Sequence, residues 1–344
     1  MSPTRYRTLF LTERGLRHQQ DALNAAPPEL DVTILRQPAP DVLRPLLAEA
    51  VFLVSERTGV IDREMVAAAP QLKLILRLGS LAHDIDLDAA RAAEIVVATW
   101  PQRGVIMVAE HLMMQMLALA KRLREVEAIT VAADADWGVA RRTDEDTFAY
   151  NWSGRQGIGG LWQQTVGVVG FGEIGAELAR RLRGWGCRVL YHRRRRLPAW
   201  QEGELGIEYV TQETLFAQSD FLVNLLPYFS QTNLSLGATQ FAAMKPGACL
   251  VSCGSGSVLD EAALADAVRA GRLAGVALDT FEWEPIKPDN PLRLLAAEGS
   301  RWNVLLTPHT AAGAPPAGVI PSRANDYEPI LRFLRGEPTA YRLA

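Results

Sequence analysis

The feature that most constrains this chain is the stretch Thr165-Val-Gly-Val-Val-Gly-Phe-Gly-Glu-Ile-Gly175. An apolar run from Val166 to Val169 reads as a buried strand. It feeds straight into Gly170-Phe171-Gly172-Glu173-Ile174-Gly175, and residues 173–183 then carry helical periodicity. The three glycines have separate tasks in such a turn. Gly170 permits the tight bend, Gly172 lets the backbone approach a pyrophosphate, and Gly175 lets the helix pack closely on the strand. The helix N-terminus offers free N–H groups and the positive end of its dipole to phosphate. A second strand, 187–192, follows in order. Strand, turn, helix and strand together predict a dinucleotide site of the Rossmann type, with residues 170–175 against the cofactor.

The remainder of the chain alternates in a related way. Short apolar runs at 8–11, 32–35, 51–54, 72–76 and 95–98 are separated by helical or loop stretches, which predicts a parallel sheet with helices on both faces. Ligands of such sheets sit at the carboxyl ends of the strands. That singles out Arg57, the loop 79–84 with Gly79, Ser80 and Leu81, and Trp100 before Pro101 as substrate contacts, with plain solvent loops as the alternative. Residues 105–123 read as one methionine-rich, nearly all-round apolar helix, suited to a buried position or a dimer interface. Glu110, His111 and Gln115 interrupt it, so a membrane span is not expected. Residues 131–160 lack periodicity and read as an irregular connection over the nucleotide domain. Further strands are predicted at 221–226, 248–253, 274–279 and 304–307, and helices at 236–243 and 260–270. Pro315, Pro316 and Pro321 forbid a straight helix after the re-entry near 312, and 325–335 is helical in pattern. The predicted architecture is α/β with two doubly wound parallel-sheet domains. A Rossmann nucleotide domain, 104–311, is inserted into a flavodoxin-like substrate domain, 1–103 with 312–344.

Length and charge fit that plan. The 344 residues suffice for two domains, and 48% hydrophobic and 22% charged residues describe a soluble globular chain. A net charge of −3 gives no reason to expect nucleic acid or an anionic membrane as partner. Of three cysteines, Cys249 and Cys253 would stand roughly 13 Å apart along one strand, beyond disulfide reach. A reduced, cytoplasmic setting follows, with no apolar signal region in the first ten residues and no metal site expected. The second strand of a dinucleotide fold commonly ends in an acidic residue that accepts from the ribose 2′-hydroxyl. Here it ends in His192, followed by Arg193, Arg194, Arg195 and Arg196, with no carboxylate read nearby. Guanidiniums can fork onto a 2′-phosphate, so NADP(H) is expected over NAD(H). A solvated basic loop is the alternative.

At this point a resemblance is plain. Val108-Ala-Glu-His111, the glycine turn, Met244-Lys-Pro-Gly247, Leu259-Asp-Glu261, Leu278-Asp-Thr-Phe-Glu-Trp-Glu-Pro285 and Leu306-Thr-Pro-His309 occur in the order found in D-isomer-specific 2-hydroxyacid dehydrogenases. The chain resembles that family over essentially its whole length. The resemblance implies that His309 gives a proton to the substrate carbonyl as hydride arrives, with Glu284 holding the imidazole. It implies that Asp279 binds the nicotinamide carboxamide, and that Leu226, Pro227, Cys253 and His309 lie along the cofactor. It also implies a homodimer through the 105–123 helix.

One member of the expected set is missing. The family's carboxylate-clamping arginine falls at Ser255, within Cys253-Gly-Ser-Gly-Ser257, and no arginine occurs between 197 and 268. Charge-assisted hydrogen bonds are worth about 1.5–3 kcal/mol each, so losing a bidentate pair should cost a carboxylate substrate about 10²- to 10⁴-fold. Leu81 stands where the family usually has a second glycine, followed by His83 and Asp84, and Gln102 replaces the glycine after Pro101. The cofactor side keeps its motifs. The expectation is therefore an NADP(H)-dependent oxidoreductase interconverting hydroxy and keto groups on a small molecule without the usual α-carboxylate. Ser255 or Arg57 would be a substitute polar contact, and Ser255, Gly256 and Ser257 would leave room for a bulkier substrate. The alternatives are a non-catalytic NADP(H)-binding sensor or interaction protein, and an ordinary 2-ketoacid reductase in which Arg57 or Arg103 replaces the clamp.

Overall fold

The computed structural model describes residues 5–56, 59–134, 137–316, 322–339 and 341–343. The chain divides into two compact units, Met1–Val105 with Ala314–Ala344, and Ile106–Gly313. Both are built on all-parallel sheets, as the alternation of strand and helix signals predicted.

The first unit carries β1 (Tyr6–Thr12), β2 (Leu30–Arg36), β3 (Phe52–Glu56), β4 (Leu74–Arg77) and β5 (Val96–Thr99), in the order β2-β1-β3-β4-β5. Alternate side chains enter different cores. Leu9, Leu11, Leu53, Ile75 and Val97 fill one face. Phe10, Phe52, Val54, Leu74, Leu76 and Ala98 fill the other, joined by Tyr327 and Ile330 from the returning C-terminal segment. Burial on both faces is why these strands read as unbroken apolar runs. The strands β3 and β4 run further than the apolar runs because Ser55, Glu56 and Arg77 are buried as well. Glu56 accepts from Thr12 Oγ1 (2.9 Å), Arg14 Nε (3.0 Å) and Arg323 Nη2 (3.1 Å), and Arg323 Nε also donates to Asp326 at 2.6 Å. A buried carboxylate is tolerable only with such partners.

The second unit carries β6 (Thr165–Val169), β7 (Arg188–His192), β8 (Ile207–Tyr209), β9 (Phe221–Asn224), β10 (Ala248–Ser252), β11 (Leu273–Leu278) and β12 (Val304–Leu306). Their order is β12-β11-β10-β9-β6-β7-β8. The edge strand β8 has three residues and gave no apolar run to find. The predicted 105–123 helix is two helices, Arg103–Ala120 and Leu123–Ala132, because Arg122 adopts φ 49° and breaks the spiral. By length and composition alone Arg103–Ala120 is apolar enough to cross a membrane. Here its Ala109, Leu112, Met113, Gln115, Met116 and Leu119 are buried within the protein. Residues 137–164 contain no α-helix or strand. All three cysteines are free.

Candidate functional site

The glycine turn leaves β6 at Gly170, whose φ of 81° puts it in the left-handed region. A Cβ there would meet Leu226 N at 2.6 Å and Leu225 C at 2.7 Å, so backbone contact from the β9 side forbids any side chain. Gly170 N and Phe171 N both donate to the carbonyl of His192. Phe171 folds under the helix Glu173–Leu182, where a Cβ on Gly175 would come within 2.8 Å of its ring. Gly172 differs: its missing side chain faces open space, with nothing nearer than Gly170 O at 4.0 Å. Glu173 and Ile174 begin the helix directly behind it. An open glycine face at a helix N-terminus fits a pyrophosphate.

At the end of β7, His192 Nδ1 lies 2.9 Å from the carbonyl of Val210 and its ring stacks on Tyr209. Arg194 lies over the Phe229 ring at 5.4 Å. The basic run is not all alike. Arg196 forks onto Glu202 at 2.8 and 2.7 Å, and the Tyr191 hydroxyl donates to the same carboxylate at 2.7 Å. The expectation that no carboxylate stands near the arginines is therefore corrected. Glu202 is there, brought in by the turn of the helix Ala199–Leu205. Arg196 holds its carboxyl below the ordinary range, so it is ionised and already paired. Arg194 and Arg195 stay exposed and Arg193 half-buried.

The histidine and glutamate expected as acid/base and support are brought together by two loops. After β12 the chain runs Thr307-Pro308-His309, and His309 takes φ 53°. Asp279, next after β11, anchors this turn: its carbonyl accepts from His309 N at 2.8 Å. Its carboxylate accepts from Thr307 Oγ1 (2.6 Å), Thr310 N (3.0 Å) and Ala311 N (2.8 Å). Glu284 Oε1 accepts from Phe281 N at 3.1 Å, and its Oε2 lies 2.7 Å from His309 Nδ1. The His309 side chain is 62% exposed, unlike a packed core histidine. With Nδ1 against the carboxylate, Nε2 is the ring nitrogen left for a further partner.

Ser255 stands in a tight corner. Its N–H donates to Leu226 O at 2.9 Å, and its described hydrogen bonds involve no guanidinium. The expected spaciousness is corrected at one residue. A Cβ on Gly256 would lie 1.9 Å from Phe281 C and 2.0 Å from its oxygen, so this glycine serves close packing of the Glu284 loop. Leu226 N in turn is held by Asn224 Oδ1, and Pro227 O accepts from Thr232. Cys253 Sγ lies 3.7 Å from Gln115 Oε1. Burial pushes the Cys253 thiol above its ordinary value.

In the first unit, Gly79 N donates to Trp100 O at 2.9 Å, Trp100 meets the Tyr341 ring edge-on, and Ser80 and Leu81 are fully buried. Arg57 lies outside the described residues, and Arg103 opens the helix Arg103–Ala120. Two polar residues were given no role from the sequence. Arg77 is buried at the end of β4, with Nε 3.2 Å from Asp84 Oδ2 and Nη1 on Leu78 O. Its signal was a charge closing an apolar run. His111 puts Nε2 3.1 Å from Thr307 Oγ1 and 3.7 Å from Asp279 Oδ1. Its signal was a histidine inside an apolar helix. Burial lowers the His111 pKa, with Asp279 opposing.

A glycine-opened helix on a parallel sheet, with a carboxylate-held, exposed histidine in the same unit, defines the class as α/β proteins of the dinucleotide-binding type. The model for the D-isomer specific 2-hydroxyacid dehydrogenase NAD binding domain matches residues 113–311. A glyoxylate reductase of Korarchaeum cryptofilum is 33% identical over 321 residues, covering 91% of this chain and 88% of the relative. A D-3-phosphoglycerate dehydrogenase of Archaeoglobus fulgidus is 33% identical over 79% of this chain and 47% of its own length. The crystal structure of the PH0520 protein from Pyrococcus horikoshii matches with a TM-score of 0.54 and 26% identity, covering 99% of this chain and 95% of that one. The chain belongs to the D-isomer specific 2-hydroxyacid dehydrogenase family. Its relatives are dehydrogenases and reductases acting on CH–OH groups.

Proposed function

We propose that this protein is an NADP(H)-dependent oxidoreductase that interconverts a hydroxy and a keto group on a small molecule lacking the usual α-carboxylate. The observation that carries the reading is the contact of 2.7 Å between His309 Nδ1 and Glu284 Oε2, kept in a chain with Ser255 at the clamp position. When bound, the nicotinamide supplies or takes up the hydride. His309 Nε2 gives a proton to the carbonyl oxygen as that oxygen becomes a hydroxyl, and takes it back in the reverse direction. Glu284 fixes the ring and balances the imidazolium charge. Asp279 holds the turn that presents His309. Its carboxylate already takes three donors, so a nicotinamide carboxamide would share this acceptor rather than own it. Ser255 offers one neutral hydroxyl where an arginine would offer a charged fork, which removes the advantage of a carboxylate substrate.

For the adenosine end, Arg193, Arg194 and Arg195 support NADP(H). Arg196 is engaged by Glu202, and that pairing removes the carboxylate from competition with a phosphate. Unit 1 is the proposed substrate domain, with Gly79, Ser80, Leu81 and Trp100 as its contacts. A cytoplasmic homodimer belongs to the same reading, and free cysteines suit the reducing setting. The decisive assay follows NADPH oxidation with carbonyl compounds in the parent protein and in His309→Ala. Turnover abolished by the substitution supports the reading. NADPH binding without turnover of any carbonyl would favour the non-catalytic sensor instead.

A further inference from the structure

Among the described residues of the second unit, His111, Cys253 and Asp279 bring one ligand atom each to within 4.8 Å of one another. Each comes from a different element: the helix Arg103–Ala120, the end of β10 and the end of β11. We propose that His111 Nε2, Cys253 Sγ and Asp279 Oδ1 form a site for a thiophilic divalent cation of the zinc class, and that occupying it disturbs the His309 turn. The binding half stands on geometry alone. The coupling half rests on the function proposed above.

Ligands of a tetrahedral zinc site, with metal bonds of about 2.0–2.3 Å, stand roughly 3.5 Å apart. His111 Nε2 and Asp279 Oδ1 are already 3.7 Å apart. The thiol has to move by roughly 1 Å to close on that spacing, a side-chain rotation rather than a backbone shift. Thr307 now places its hydroxyl on Asp279 Oδ1, but the same hydroxyl lies 3.4 Å from Leu278 O. It can turn to that carbonyl and free the carboxylate oxygen. A second observation points to a missing group. Gln115 is fully buried beside Cys253, and among the described residues its Nε2 has no hydrogen-bond partner. A bare buried donor is costly, and a water held by the ion in its fourth position would accept from it.

The donor set selects the ion. Thiolate with imidazole prefers zinc, cadmium or cobalt over magnesium or calcium. Binding replaces the thiol proton by a sulfur–metal bond and releases about one proton per ion. The ion's charge is what makes the thiolate accessible in a site where burial disfavours it. Asp279 also receives Thr310 N and Ala311 N, so a pull on its carboxylate moves the backbone that directly follows His309.

The test is a titration of the reduced, metal-free full-length protein with Co²⁺, following the thiolate-to-cobalt charge-transfer absorbance. The expected result is a band that saturates near one equivalent and is displaced by Zn²⁺. It should vanish in Cys253→Ser, weaken at least about tenfold in His111→Gln, and persist in Cys249→Ser and Cys187→Ser. Should Cys253→Ser fail to fold, proton release on adding Zn²⁺ to the weakly buffered parent protein serves instead, and about one proton per bound ion is expected. No band, a band that survives loss of Cys253, or Zn²⁺ addition without proton release overturns the site. A proper band with NADPH oxidation unchanged by Zn²⁺ overturns the coupling alone. If no carbonyl is turned over at all, the cobalt titration still decides whether the ion binds.

Discussion

Glu284 and His309 are joined at 2.7 Å across two loops, and the second oxygen of the same carboxylate is pinned by the Phe281 N–H at 3.1 Å. A carboxylate fixed at both oxygens cannot rotate away, so the imidazole it orients has one tautomer and one direction for its outer nitrogen. Removing the ring should lower kcat by about 10²- to 10⁴-fold. Glu284→Gln keeps the shape and loses the charge, and should cost about 10²-fold in kcat. NADPH affinity, measured by fluorescence titration, should barely change in either variant. A large loss of affinity in both would mean the pair binds cofactor rather than moving protons.

The adenosine end gives a separate test. Arg194→Ser with Arg195→Ser removes two exposed guanidiniums of the basic run. Loss of one or two charge-assisted contacts, at about 1.5–3 kcal/mol each, should weaken NADPH binding by at least about tenfold and leave NADH unchanged. Equal weakening of both cofactors would assign the arginines to some other task.

Two glycines should respond oppositely to alanine. At Gly256 the new Cβ would fall 1.9 Å from a backbone carbon of Phe281, which cannot step aside as a flexible side chain could. Destabilisation of about 1–3 kcal/mol is expected, with loss of activity because the Glu284 loop shifts. At Gly203, inside the helix Ala199–Leu205, nothing lies within 4 Å. There alanine should stabilise by about 0.5–1 kcal/mol. Thermal melts of both variants check the pair.

His111 links stability to pH. Burial lowers its pKa in the folded protein below the ordinary value of 6.5. Between that value and the lowered one the unfolded chain binds the proton and the folded chain does not. The stability contribution is therefore present above about 6.5 and is lost as pH falls through this window. Melting temperatures of His111→Gln should fall less steeply across the same interval than those of the parent. Parallel curves would show that other groups set the slope.

Much of this was legible in the sequence because apolar runs buried on both faces mark parallel strands directly. Val166–Val169 and its three glycines exposed the nucleotide fold, and the Thr-Pro-His and Glu-Pro motifs marked His309 and Glu284. What escaped was polar and non-local. Glu56 extends its strand because a distant partner neutralises it, and no window along the chain shows Arg323 arriving; Asp84 stands seven residues past Arg77, but only the turn after β4 folds it back onto that side chain. Glu202 was missed because it returns to the arginines by way of a helix. Gly256 was read as open space, although glycine marks close approach as readily as vacancy. His111 sits among methionines and leucines, and only the sheet ends bring Thr307, Asp279 and Cys253 to it.

The most direct measurement compares two carbonyl compounds that differ in one group, phenylpyruvate and phenylacetone, as substrates for NADPH oxidation. If Ser255 has removed the preference for an α-carboxylate, kcat/KM for phenylacetone should equal or exceed that for phenylpyruvate, and His309→Ala should lower both by about 10²-fold or more. A preference for phenylpyruvate of about 10²-fold or more in the parent protein would contradict the proposal, because it would mean that another group grips the carboxylate as an arginine would.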